Sequence, residues 1–196
     1  MKYVAFLRGI NVGKAKLIPM AELKDIFSDI GFTNLKTYLR SGNVVFEYNN
    51  RNNNSYNSYS NDETDLTNEK IKIENIISKN IEEVFGFNVV VIVKNKENII
   101  SLIENNPYKD DNPIEELYFT IFKDEINKTL SKKLIDSSKN IDTDDEFTIS
   151  EREVYLLCKS KYHKTKFNNN YFESKLNNVA TTRNWKTICK IKSMLI

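Results

Sequence analysis

The hydrophobic pattern of the chain switches between period two and period three to four, and each switch marks an element. Lys2 to Leu7 is apolar on both faces, which predicts a central strand. Pro19 suits a helix start, Met20, Leu23, Phe27 and Ile30 recur at helical spacing, and Gly31 is placed for a left-handed cap. Leu35, Thr37 and Leu39 then alternate with Lys36, Tyr38 and Arg40, Ser41-Gly42-Asn43 reads as a turn, and Val44-Val45-Phe46 returns as the partner strand. A second helix, Thr67 to Phe85, runs into Gly86-Phe87 as the first runs into Gly31-Phe32, and Val89 to Val93 reads as a buried strand. The order strand, helix, strand, strand, helix, strand is that of a ferredoxin-like unit.

The second half echoes this order. Lys96 to Asn105 predicts a linking helix that stops before Pro107, Leu117 to Phe122 a strand, and Glu125 to Ser137 a helix. Glu146 to Ile149 and Arg152 to Leu157 pair across Ser150-Glu151, a helix follows over Lys166 to Leu176, and a last helix starts at Thr182. The fold class expected is therefore α+β: two ferredoxin-like halves, residues 1–94 and 95–196, the second incomplete and closed by an extra C-terminal helix. Between Asn49 and Asn61 lie seven Asn and three Ser, too polar to bury, which predicts a mobile surface insert.

Composition adds bounds. With 40% hydrophobic and 29% charged residues over 196 positions, the chain has the make-up of ordinary globular protein. The opening run reaches Arg8 too soon for a signal peptide, and no stretch approaches the roughly 18 apolar residues of a spanning helix, so a cytoplasmic protein without a membrane partner is expected. Cys158 and Cys189 sit in apolar runs with no Cys or His nearby and read as small buried hydrophobes, not as metal ligands. The net charge of +2 hides a segregation: residues 1–48 carry +3, residues 152–196 carry +8 and the middle carries −9. If the two ends met, they would form an electropositive surface.

Those ends hold the chain's scarce residue types. Of five arginines, against 24 lysines, Arg8, Arg40 and Arg183 fall in three short segments, together with three of the five glycines and the single tryptophan, Trp185. An arginine kept in so lysine-rich a chain points to a need for a planar, forked cation. The segments read Arg8-Gly9-Ile10-Asn11-Val12-Gly13, Ser41-Gly42-Asn43-Val44-Val45-Phe46 and Ala180-Thr181-Thr182-Arg183-Asn184-Trp185, with Pro19-Met20-Ala21-Glu22-Leu23 between the first two. In this order they resemble the bacterial DUF1697 family, a domain of unknown function, and the resemblance runs the length of the chain. It implies the two-half α+β fold and the location of a site, but no activity. Two departures stand out: Lys14 replaces a second glycine after the first motif, and the stretch His163 to Asn168 keeps only Lys166 of the family's Gly-x-Ser-Lys-Leu-Thr pattern.

Topology then places the motifs. In a ferredoxin-like unit the first and third strands are antiparallel neighbours, so Arg8-Gly9 and Ser41-Gly42-Asn43 are expected at one end of the sheet. Gly9 and Gly13 would free backbone N–H groups to face a ligand, Asn11 and Asn43 would add amides, and Arg8 and Arg40 would make bidentate anion contacts. Thr181 or Thr182 suits an N-cap, which would set Thr182, Arg183 and Asn184 at a helix amino terminus suited to anions, with Trp185 anchoring the helix in the core. Lys166 completes the candidate ligand-binding set.

Catalytic signatures are lacking. His163 is the only histidine, in a lysine-rich loop; there is no G-x-S-x-G elbow and no phosphate-binding G-x-x-x-x-G-K-[ST]. The sequence thus implies no cofactor and no metal. Two functions fit: a binding protein for a small phosphorylated or nucleotide-like anion, or for nucleic acid, or an enzyme acting on a small anionic substrate with Ser41 or Tyr38 in proton transfer.

Overall fold

The computed structural model describes residues 1–49 and 63–196; nearly all of the Asn-rich insert predicted at 49–61 lies outside them. The described residues form two four-stranded antiparallel sheets and six helices. The chain divides into two compact units, residues 1–98 with 191–196, and residues 99–190. The boundary drawn from sequence at 94/95 falls one residue before the end of the fourth strand, four residues ahead of this division.

In the first unit the elements are β1 (Lys2–Leu7), α1 (Met20–Asp29), β2 (Thr33–Tyr38), β3 (Asn43–Glu47), α2 (Glu63–Phe85), β4 (Val91–Asn95) and the start of α3 (Lys96–Glu104). The sheet order is β2-β3-β1-β4, every neighbour antiparallel, which fits a ferredoxin-like arrangement. Strand β1 is central, and it is buried on both faces as its pattern predicts: Tyr3, Ala5 and Leu7 enter the core, and Val4 and Phe6 opposite them are equally inaccessible. Leu23, Ile26 and Phe27 of α1, at i, i+3 and i+4, close on this core with Ile73, Ile77 and Ile81 of α2. Rings pack at its centre, with Phe32 stacked on Phe46 at 4.5 Å and Phe27 edge-on to Phe46 at 5.5 Å. Leu39, expected to continue β2, instead ends it: its φ is +59° and its side chain is exposed.

The second unit corrects the expectation of an incomplete half. It contains β5 (Leu117–Phe122), α4 (Lys128–Ser138), β6 (Glu146–Ile149), β7 (Glu153–Leu157), α5 (Asn169–Leu176) and β8 (Ala180–Asn184), followed by α6 (Trp185–Leu195), whose end belongs to the first unit. The order β6-β7-β5-β8 repeats that of the first sheet strand for strand. The segment read as the start of a final helix, from Thr182, is therefore the missing fourth strand. It was hidden because Ala180-Thr181-Thr182-Arg183-Asn184 has no apolar alternation of its own; its pairing with β5, from Phe122↔Ala180 to Tyr118↔Asn184, makes it a strand.

The repetition extends to single hydrogen bonds. Leu7 N–H donates to Gly42 O (2.8 Å) and Arg8 N–H to Val90 O (2.9 Å); in the second half Phe122 N–H donates to Arg152 O (2.9 Å) and Lys123 N–H to Val179 O (2.9 Å). Tyr3 pairs with Asn95 as Tyr118 pairs with Asn184. Each of those asparagines closes its strand and caps the next helix, Asn95 Oδ1 accepting from Asn98 N–H (2.8 Å) and Asn184 Oδ1 from Thr187 N–H (2.9 Å).

Candidate functional site

Two loops meet at one end of the first sheet. The Leu7–Gly42 bond joins the end of β1 to the β2–β3 turn, and Phe6 pairs with Asn43. The long connection from β1 to α1 then folds into a small hairpin, with Asn11 N–H donating to Lys16 O (3.0 Å) and a bridge between Val12 and Ala15. Four of its residues have left-handed backbone: Gly9 (φ +71°), Asn11 (+55°), Gly13 (+63°) and Lys16 (+48°). Asn11 ties the hairpin down. Its Nδ2 donates to Ile18 O (3.0 Å) and Arg40 O (2.8 Å), and its Oδ1 accepts from Ile18 N–H (2.8 Å).

Asn43 is a second bracket. Fully buried, it donates through Nδ2 to Tyr38 O (2.9 Å) and Ser41 Oγ (3.0 Å), which sets the β2–β3 turn. Gly42 sits beneath the hairpin, so close to Leu7 and Ile10 that no side chain fits. The two amides expected to face a ligand thus hold the loops in place, and what the loops display is different: Val12, Gly13, Lys14, Leu17, Leu39, Arg40 and Ser41 are all exposed. Among the described residues neither Lys14 nor Arg40 forms an ion pair. Lys16 is anchored, its Nζ donating to Asn88 O (2.7 Å) and lying 6.0 Å from the Phe87 ring. Arg8 is half-buried at the root of the hairpin.

Lys14 and Lys16 were not among the sequence candidates. The available signal was charge: residues 8–18 and 38–43 contain no Asp or Glu.

In the second unit the third motif occupies β8 and the cap of α6, not a helix amino terminus that begins at Thr182. Thr182 Oγ1 lies 2.9 Å from Thr120 Oγ1 and 3.1 Å from Asn169 Oδ1, and so joins β8, β5 and α5. The Arg183 guanidinium folds back along its own strand, Nη1 donating to Thr181 Oγ1 (2.6 Å) and Thr182 O (2.9 Å). Burial pulls its pKa down to about 10, an effect the Tyr162 phenol only partly offsets, so it stays cationic at neutral pH. Trp185 stacks on Phe119 at 5.6 Å and is half-buried, not fully enclosed. Lys166 lies at the surface with its Nζ on Asp142 O (2.7 Å).

Its loop is pinned from within. Asp145, almost fully buried, accepts from Ser160 N–H (2.9 Å) and Ser160 Oγ (2.7 Å). Burial pushes the Asp145 carboxyl up, but hydrogen bonds from Thr165 and Ser160 more than offset this and hold it below the usual carboxylate range. Cys158 beside it is buried and its thiol is pushed up by desolvation, whereas Cys189 is only half-buried. Among the described residues no group of three His, Cys, Asp or Glu is placed to hold a metal ion, and no helix is long and apolar enough to cross a membrane.

Because Asn184 serves as the α6 cap, Asn184→Ala is expected to cost about 1 kcal/mol of stability, the usual worth of such a cap, with Asn184→Ser recovering most of it. Urea unfolding of the two variants measures this, and equal losses would show that the cap contributes little.

A family model described as a protein of unknown function (DUF1697) matches residues 1–155, a range that holds the first two motifs and ends before the third. No curated protein matches the chain. Among solved structures, the conserved bacterial protein SP0830 from Streptococcus pneumoniae is similar over 100% of this chain and 98% of its own, at 19% identity and a TM-score of 0.64. That likeness is one of fold.

Proposed function

The chain belongs to the DUF1697 family, whose name records no activity, and from that premise we propose that its first unit binds phosphate-bearing anions at the sheet end formed by residues 8–18 and 39–42. The supporting observation is internal to the chain. The two halves repeat each other strand for strand, so the second half shows what this fold requires at the same end of its sheet. There the connection from β5 to α4 takes five residues, 123–127, whereas the connection from β1 to α1 takes twelve, 8–19.

Charge differs as well as length. In the second half Arg152, the counterpart of Gly42, pairs with Glu125 at 3.2 Å, and Asp124 and Glu151 lie beside them. In the first half residues 8–18 and 38–43 contain no Asp or Glu, and among the described residues Lys14 and Arg40 form no ion pair. The extra seven residues are thus not needed to close the fold, and they carry cations on a backbone of repeated left-handed turns. Such turns aim successive N–H groups to one side and form anion-binding concavities. In this reading Arg40 and Lys14 contact the anion with Ser41 beside them, Gly9 and Gly13 give the backbone its shape, and Asn11, Gly42 and Asn43 hold the frame. Thr182, Arg183, Asn184 and Lys166 serve the second unit's own scaffold.

Thermal melts with tripolyphosphate, nucleotides and sugar phosphates test this. A ligand at 100 times its dissociation constant is expected to stabilise the wild type by about 2.7 kcal/mol. The Lys14→Ala/Arg40→Ala double variant should keep the ligand-free melting temperature and lose the shift. No shift with any anion in the panel, or an equal shift in the double variant, would remove the proposal.

A further inference from the structure

The shape of the same loops narrows the class of anion, and we propose that they dock in the major groove of duplex DNA, an inference that rests on the anion-binding reading above. Three observations carry it. First, the display is outward: Val12 to Leu17 is exposed without a break, with Val12 70% accessible, so its cations are offered to a surface and not to an enclosed small molecule. Second, the projecting element is a tight hairpin with Gly13-Lys14 at its tip, Val12 bridged to Ala15 and Asn11 N–H on Lys16 O, narrower than the ribbon or helix that a major groove about 12 Å wide admits. Third, exposed aliphatic side chains are interleaved with the cations: Val12 and Leu17 flank Lys14 and Lys16, and Leu39 precedes Arg40.

Those aliphatic groups discriminate among polyanions. Residues 8–18 and 39–42 contain no aromatic side chain, so they lack the stacking platforms by which single strands are held. Val12, paired with Ala15 directly beneath the Gly13-Lys14 tip, can instead meet thymine methyl groups in the groove, while Lys14 at the tip and Arg40 on the β2–β3 turn reach phosphates. The A-form groove of duplex RNA is too deep and narrow for such a hairpin. Asn11, by bonding Arg40 O, fixes the spacing between the hairpin and the β2–β3 turn and so sets the two cationic arms in one rigid frame.

Fluorescence anisotropy with a labelled 20-base-pair DNA duplex, a duplex RNA of the same sequence, and a single strand tests this over a salt series on the full chain. With two phosphates neutralised, by Lys14 and Arg40, the logarithm of affinity should fall against the logarithm of salt with a slope of about −2. Lys14→Ala and Arg40→Ala should each flatten that slope by about 0.9. Val12→Ser should weaken DNA binding several-fold and leave the slope unchanged. Equal affinity for duplex RNA, or a Val12→Ser variant that binds as the wild type does, would overturn groove docking. If tripolyphosphate stabilises the protein in an Arg40-dependent way but no duplex binds, the anion site stands and this inference falls. If vesicles of anionic lipid are bound and DNA is not, the surface is a membrane contact and the inference likewise falls. If neither tripolyphosphate nor DNA binds, both readings fall together.

Discussion

Gly42→Ala is expected to destabilise the protein by about 2–4 kcal/mol, from an overpacking cost of about 1–3 kcal/mol and a left-handed backbone penalty of about 1 kcal/mol or more. The backbone at Gly42 has a φ of +72°, and a Cβ built there would lie 2.7 Å from Leu7 Cβ and 2.8 Å from Ile10 Cδ1. Neither neighbour can give way easily. Leu7 is fully buried on the central strand, and its N–H is bonded to Gly42 O, so the clash and the bond act on the same two residues. Gly9→Ala is the control: φ there is +71°, yet nothing stands within 4 Å of the added carbon. It should therefore show the backbone cost alone, about 1 kcal/mol. Urea denaturation of both variants gives the difference directly, and that difference is the cost of packing between the β2–β3 turn and β1. Equal losses at the two positions would show that the turn is free to move away from β1, and would remove the rigid frame on which the proposed site depends.

The order of elements in the first half could be read from sequence because each boundary has a local physical cause. Pro19 and Gly31 bracket α1, Gly86 ends α2, and the unbroken apolar run of β1 admits only a strand buried on two sides. What escaped depends on residues far apart in the chain. Strand β8 owes its conformation to β5, some sixty positions earlier, and its threonines suit an N-cap as well as a strand; only the pairing decides between them. The framework role of the asparagines escaped for the same reason. Asn11 and Asn43 carry amides that a ligand could use, but Asn11 finds Arg40 O, and Asn43 finds Tyr38 O and Ser41 Oγ. A buried amide with several polar atoms has to satisfy them, and protein partners are nearer than any ligand. Leu39 shows the converse, since alternation put it in a strand but the turn before Gly42 required a left-handed residue there. The juxtaposition of the first two motifs needed only the antiparallel pairing of β1 with β3, and so it was accessible from topology alone.

Arg183→Ala is expected to cost about 2–3 kcal/mol, and Arg183→Met less than half as much, since hydrogen bonds from a charged group are worth about 1.5–3 kcal/mol and removal of a desolvated charge returns part of that. Alanine loses both the contacts of the aliphatic stem and the bonds from Nη1 to Thr181 Oγ1 and Thr182 O. Methionine keeps a stem of similar reach and removes the charge whose burial has pulled the guanidinium pKa to about 10. The sign of the pH dependence follows from that depression. A cation whose folded pKa lies below its unfolded value lowers stability fully at pH values beneath the folded pKa, and the penalty is relieved only as pH rises above about 10. The gap between wild type and Arg183→Met should therefore be flat from pH 6 to 9. Arg183→Lys should fare no better than methionine, because an ammonium is more strongly hydrated and cannot span both acceptors with one planar fork. If methionine proves as damaging as alanine, the charge itself is needed for folding. If all three variants match the wild type in stability, the scaffold role assigned to Arg183 is wrong and its charge is retained for contact with another molecule.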